Sequence, residues 1–510
     1  MKHLLLILCF LSFTTYAQQN AGFFEQVGDV GKPKIAGSTT YDEATQTYTL
    51  KGGGYNIWFN RDEFQFASTK LKGDFVLTAN FELKGEGFDP HRKIGWMVRG
   101  SLDESAPHAS AVLHGDGLTV LQWRVLRGAF MRDPEDEAFA PKKNYNVIQL
   151  ERQGKKMIMR AAHYGEPLQM IGETENIELP DEVYAGLFVC SHNADKIEEG
   201  IAWNVRIDQP VNDSYNPDRE GYIGCRMELM NVFDGKRKVI HESKTRFEAP
   251  NWMPDGNKLL FNQDGSLFTI PITGGEPVKL NTGAADRNNN DHGISFDGKM
   301  LAISHHRSGL PGGGSTVYVL PLTGGEPKLV TEKTPSYWHG WNPNGKEVVY
   351  VAQRDGKVYD IYKMNINGGA EVQLTQNKGT HVDGPEYSPD GKYIYYNGNQ
   401  SGTMQIWRMK PDGTNKEQLT FDEYNDWFPH ISPDGKWMVF LSFPPDIPVD
   451  SHPSYKRVIL RLMPVSGGVP KVIAYLYGGQ GTINVPSWSP DSKQIAFVSN
   501  SRKFPQENPK

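Results

Sequence analysis

One short turn, written six times with small changes, decides what this chain can fold into. It reads WMPDGNKLLF from Trp252, ISFDGKMLAI from Ile294, WNPNGKEVVY from Trp341, YSPDGKYIYY from Tyr387, ISPDGKWMVF from Ile431 and WSPDSKQIAF from Trp488. Taking Asp255, Asp297, Asn344, Asp390, Asp434 and Asp491 as markers, the spacings are 42, 47, 46, 44 and 57 residues. A second motif trails each of the first five, as in LFTIPITGGEPVKL, IYKMNINGGAEVQLT and IWRMKPDGTNKEQLT. Each unit thus predicts four strands: one before the turn, one after it, and a hairpin closed by Gly-Gly or Asp-Gly. Four-stranded units with a period in the forties stack radially as the blades of a propeller. The sixth unit stops after two strands, near Phe497-Val498-Ser499, while the hairpin CRMELMNVFDGKRKVIHES (Cys225 to Ser243) stands spare at the front. Pairing the two closes a six-bladed ring.

The residues before the repeat have a different character. From about Gly22, short segments of period two such as FVLTANFEL, IGWMVRGS, ASAVLHGD, LTVLQWRV and YAGLFVCSH alternate with Gly-, Asn- and Pro-rich turns. That pattern predicts an antiparallel β-sandwich. The polar stretch NDSYNPD (212–218) serves as a linker. The expected organisation is therefore all-β: a signal peptide over 1–17, a sandwich over 22–210 and a propeller over 218–502.

The signal peptide is read from Lys2 and His3, an apolar core from Leu4 to Phe13, and a small-residue site at Thr15-Tyr16-Ala17. The core is too short to serve as a transmembrane anchor. Export to the periplasm or beyond is the expectation. Formal net charge is -6 with no lysine/arginine block, which argues against a nucleic-acid partner. The chain reads as a monomer. Of three cysteines one lies in the signal peptide, and Cys190 and Cys225 fall in different predicted domains, so no disulfide framework is expected. Trp96 and Trp123 are expected in the core of the sandwich.

The SPDGK turns, the hairpins and the EQLT-like blade endings resemble the TolB-type propeller family over about 218–500. The N-terminal part is similar to concanavalin/laminin-G-like sandwiches. The first resemblance implies an envelope protein that docks peptides and other proteins. The second points to secreted proteins that handle carbohydrate.

Register then selects candidate site residues. Seven positions before the markers stand Glu248, Asn290, Tyr337, Asp383, Trp427 and Asn484, and five before stand His292 and His339. These positions open the innermost strand of each blade, so all of them converge on one mouth of the central channel. His292 and His339 are the candidate catalytic pair. Glu248, Asn290, Trp338, Asp383, Glu386, Trp427 and Asn484 are candidate ligand contacts. Asp291 and His430 are candidate ligands for a divalent metal, because imidazole and carboxylate are the donors such ions take and also the groups used in acid–base chemistry. Gln480, in the glycine-rich loop GGQGT, borders the same mouth.

Two functions compete. One is a binding protein for a polysaccharide, oligosaccharide or envelope protein. The other is a carbohydrate-active enzyme, either a metal-assisted lyase or a glycoside hydrolase. A lyase would need an arginine for the uronate carboxylate, and Arg287 and Arg307 are nearest in sequence. No GxSxG elbow is present, so a serine-peptidase domain is not expected.

Overall fold

The repeated turn shows why its sequence recurs. In Ser295-Phe296-Asp297-Gly298-Lys299 the Ser295 hydroxyl donates to Asp297 Oδ1 at 2.7 Å and accepts from the Met300 amide at 3.0 Å. Asp297 Oδ1 also accepts from the Lys299 amide at 3.1 Å. Gly298 takes φ +69°, a conformation that L side chains avoid. The same set of bonds holds Ser388 with Asp390 and Ser432 with Asp434. In the last copy Ser492 adopts φ +60° in the place of glycine.

A computed structural model describes residues 21–354 and 358–502. The expected signal peptide over 1–17 lies outside the described residues. From these turns five four-stranded antiparallel blades are built, opening with the inner strands Glu248–Trp252, Asn288–Ile294, Ser336–Trp341, Val382–Tyr387 and Asn425–Ile431. The sixth blade joins Gln494–Ser501 to Gly224–Asn231 and Arg237–Ser243. Its inner segment meets it through the Trp488–Ile495 bridge. The chain therefore closes the ring with its front hairpin, in the way the strand count requires.

Residues 21–210 fold as two seven-stranded sheets whose strands pair antiparallel. Alternate residues of each sheet face the other and bury Trp96, Phe81, Leu121, Leu150 and Leu187 between them. Trp96 and Trp123 both belong to this core. Cys190 and Cys225 are free and buried, one in each domain.

The sandwich lies against blades five and six. Val147 and Ala162 pack on Val472 and Tyr475. Arg206 pairs with Glu228 at 2.5 Å and Arg226 with Asp208 at 2.6 Å, and all four are buried. Among the described residues no helix is long and apolar enough to cross a membrane.

Candidate functional site

Each complete blade departs from regular pairing at the same place. The ladder between the two inner strands slips after Glu248, Asn288, Trp338, Asp383 and Trp427. In three blades the slip contains a residue at positive φ followed by proline: Ala249-Pro250, Gly384-Pro385 and Phe428-Pro429. Proline has no amide to give the ladder, so it sits where pairing is broken. A bulge turns side chains off the sheet plane, and here all five turn toward one end of the channel.

The result is a cavity of about 530 Å³ at that mouth. Its wall includes Glu248, Asn288, Asn290, Asp291, His339, Asp383 and Asn484, with Tyr337, Tyr359 and Phe428 supplying aromatic faces. Six of the expected residues thus share one cavity: Glu248, Asn290, Asp291, His339, Asp383 and Asn484.

The other five lie outside its wall. His292 and His339 stand at the same count from their turns, yet the bulges differ. In blade two the break covers residues 289–291 and His292 is back in the ladder opposite Ile303. In blade three His339 is itself the unpaired residue between Trp338 and Gly340. His292 is fully buried, and burial pushes its imidazole down to about 4, so it is neutral at physiological pH. Trp338 packs over Gly293, where a Cβ would come within 2.0 Å of the indole. Trp427 is buried beneath the wall, its ring 4.5 Å from that of His452.

His430 and Glu386 form a buried pair, with Nδ1 2.6 Å from Glu386 Oε2. His430 Nε2 donates to the Ile483 carbonyl at 2.6 Å, and the Ile431 amide donates to Glu386 Oε1 at 3.0 Å. Asp291, the other expected metal ligand, lies on the cavity wall, while both ring nitrogens of His430 are engaged in these contacts. The pairing of His430 with Glu386 clamps blade four to blade five. Among the described residues no group of three or more His, Cys, Asp or Glu is placed to hold a metal ion.

The electrostatics of the cavity centre on His339, whose Nε2 lies 3.0 Å from Asp383 Oδ1. Burial opposes charge on the imidazole, but Asp383 at hydrogen-bond distance, with Asp291 and Glu386 behind it, outweighs burial and raises its pKa. The reciprocal holds for Asp383: burial would raise it, and His339, with His452 and His381, holds it well below the usual carboxylate range. Asp291 goes the other way. Burial, opposed by His339 and reinforced by the Asp383 charge, pushes its carboxyl up to about 7. Its Oδ2 accepts from Asn289 Nδ2 at 2.7 Å. Glu248 is raised by burial in spite of its ion pair with Arg246.

Several wall residues were not foreseen from register. His452 and Asp450 come from the long connection between the second and third strands of blade five, the insertion that makes the last marker spacing 57 rather than the mid-forties. His452 Nδ1 lies 2.6 Å from Gln480 Oε1, which also accepts from Asn484 Nδ2 at 2.9 Å. Gln480 and Asn484 are thereby fixed together at the rim. His381 precedes the inner strand of blade four, two residues before the counted Asp383, and Tyr222 and Arg246 flank the closing hairpin.

A six-bladed propeller with a polar, carboxylate-lined mouth and a sandwich at its side is the class this architecture defines. The family described as the TolB beta propeller domain matches residues 312–446. An uncharacterized protein of Agrobacterium fabrum is 46% identical over 288 residues, which are 56% of this chain and 95% of that protein. A solved structure named for TolB from Agrobacterium tumefaciens shows 45% identity with a TM-score of 0.52, over 55% of this chain and 99% of that one. The Tol-Pal system protein TolB of Francisella tularensis is 23% identical over 271 residues, 51% of this chain and 59% of that protein. The chain belongs to the TolB-like β-propeller family.

Proposed function

We propose that this chain is an exported propeller that binds a hydroxyl-rich ligand, a glycan or a stretch of envelope polymer, in the mouth cavity. One observation carries the reading. Asn288 Oδ1 and Asn290 Nδ2, an acceptor and a donor on the cavity wall, are buried and have no hydrogen-bond partner among the described residues. Buried polar groups are nearly always paired, so an unpaired donor and acceptor on residues that line one cavity support a place there for a ligand that supplies both. Aromatic faces beside them are the usual platform for sugar rings, and the cavity is of a size that takes a small saccharide. A thermal-shift screen of envelope-derived oligosaccharides against the wild type and Asn288→Leu/Asn290→Leu tests it. A hit that stabilises the wild type and not the variant supports the reading; a hit that stabilises both equally places the ligand elsewhere.

A second reading, catalysis at the same mouth, is favoured by the split between Asp291, pushed up to about 7, and Asp383, held low by its pairing with His339. Two carboxyls driven apart in this way can serve as proton donor and as stabilising anion. Neither Arg287 nor Arg307 lines the cavity, and Arg246, which does, is paired with Glu248, which weighs against the uronate lyase and favours glycoside hydrolysis as the form of this reading. Product release from any ligand found in the screen, lost in Asp291→Asn, would distinguish enzyme from binding protein.

A further inference from the structure

The charge balance of the cavity narrows its ligand. Five carboxylates line it: Glu248, Asp264, Asp291, Asp383 and Asp450. Arg246 is the one arginine among the described lining residues, no lysine is among them, and Arg246 is committed to Glu248. Asp383 is committed to His339. That leaves Asp264 and Asp450, joined by Asp291 once it ionises near pH 7, with no ion pair among the described residues, so an acidic ligand would meet like charge.

The neutral groups point the same way. Asn288 Nδ2 donates to the carbonyls of Gly265 and Ala285, both at 2.9 Å, which fixes the amide with its oxygen free. That oxygen is an acceptor awaiting a donor. Tyr337 and Tyr359 stand with ring centroids 6.1 Å apart, and aromatic faces attract cations through their quadrupole. The wall already shows that preference, since the Arg246 guanidinium lies 4.1 Å over the ring of Tyr222.

We infer that the mouth selects its ligand through a primary ammonium group, and that among glycans it takes an amino sugar with a free amine. This rests on the mouth being the ligand site. Carboxylates, an amide oxygen and aromatic faces surround a cation; an N-acetyl group offers no charge to them, and a uronate opposes them.

Calorimetric titration of the protein with a glucosamine tetramer, its N-acetylated counterpart, tetragalacturonate and a lysine tripeptide tests this. The expected result is that the glucosamine tetramer binds at least tenfold tighter than the N-acetylated one, that tetragalacturonate does not bind, and that the advantage disappears in Asp291→Asn and in Asp264→Asn. Asp264 is exposed, so the second variant folds even where the first is compromised. Equal or tighter binding of the N-acetylated or uronate tetramer, abolished by the Asn288→Leu/Asn290→Leu double variant, would overturn ammonium selection and leave the mouth as the glycan site. Glucosamine binding untouched by all three variants would overturn the mouth itself. A lysine tripeptide bound as tightly as the glucosamine tetramer would overturn the amino sugar, and no binding by any of the four would overturn the inference.

Discussion

Asp291 is held where a carboxylate is costly. Its pKa is raised from 3.8 to about 7, so the folded state holds a proton that the unfolded state releases at lower pH. A raised carboxyl contributes its full share of stability below the unfolded value and loses it as pH rises through the folded one. Above pH 7 the ionised Asp291 is therefore a net cost. Asn at this position keeps the bond from Asn289 and removes the charge, so Asp291→Asn should raise stability at pH 8 by up to about 4 kcal/mol and leave it unchanged near pH 3, a difference that urea melts at the two pH values would read. A destabilised group facing a cavity is how binding sites commonly trade stability for function. His452 follows a similar logic. Burial drives its imidazole down, so the neutral ring donates from Nδ1 to Gln480 and holds that side chain, while Nε2 stands 3.8 Å from Asp383 Oδ2 without a hydrogen bond. His452→Leu should release Gln480 and weaken ligand binding about tenfold with little change in the melting temperature.

Strands and turns explain which parts of this arrangement were readable. The six turns and their trailing hairpins announced every blade, because Ser, Asp and Gly at fixed spacing are required by the bonds that shape the turn. The sandwich segments expected from alternation are strands, Phe75–Leu83, Lys93–Arg99 and Glu182–Cys190 among them. Those not expected, Gln26–Val30, Ser38–Asp42, Phe64–Lys72, Glu137–Phe139 and Gln169–Thr174, lack clean alternation. Phe64–Lys72 is the instructive case, since Phe64 to Thr69 are buried on both faces of their sheet, and a strand covered on both sides has no polar face to reveal it. Register reached Asp383 and His339 but could not see where each bulge falls, so it treated His292 and His339 alike. Asp62 shows the same limit. It belongs to a loop with no pattern, yet it is fully buried and accepts two bonds from Arg124 at 2.6 and 2.7 Å and one from Arg99 at 3.4 Å. Removing one partner of a buried ion pair leaves the others uncompensated, so Asp62→Ala should cost about 3–5 kcal/mol by denaturant melts.

At the scale of the whole molecule the two domains are joined by buried charge. Glu228, at the start of the propeller, accepts from Arg206 of the sandwich at 2.5 Å and from Ser499 of the closing strand at 2.5 Å, and Arg237 Nε lies 3.3 Å away. Burial would raise this carboxyl, and the two arginines outweigh burial and hold it at about 2. A depressed carboxylate stabilises above its unfolded value and loses that contribution as pH falls toward the folded one. Calorimetry should therefore show one joint unfolding transition at pH 7 and two separate ones near pH 3, and Glu228→Gln should show two already at pH 7. The mature N-terminus, read by mass spectrometry on secreted or periplasmic protein, should be Gln18 if Ala17 ends the signal peptide. The central claim remains the mouth. A crystal structure of the protein soaked with its tightest-binding oligosaccharide tests it most directly: the account predicts density between Asn288, Asn290 and Asp383, stacked on Tyr337 or Tyr359, and density on the sandwich or on an outer blade edge with the mouth unchanged would contradict it.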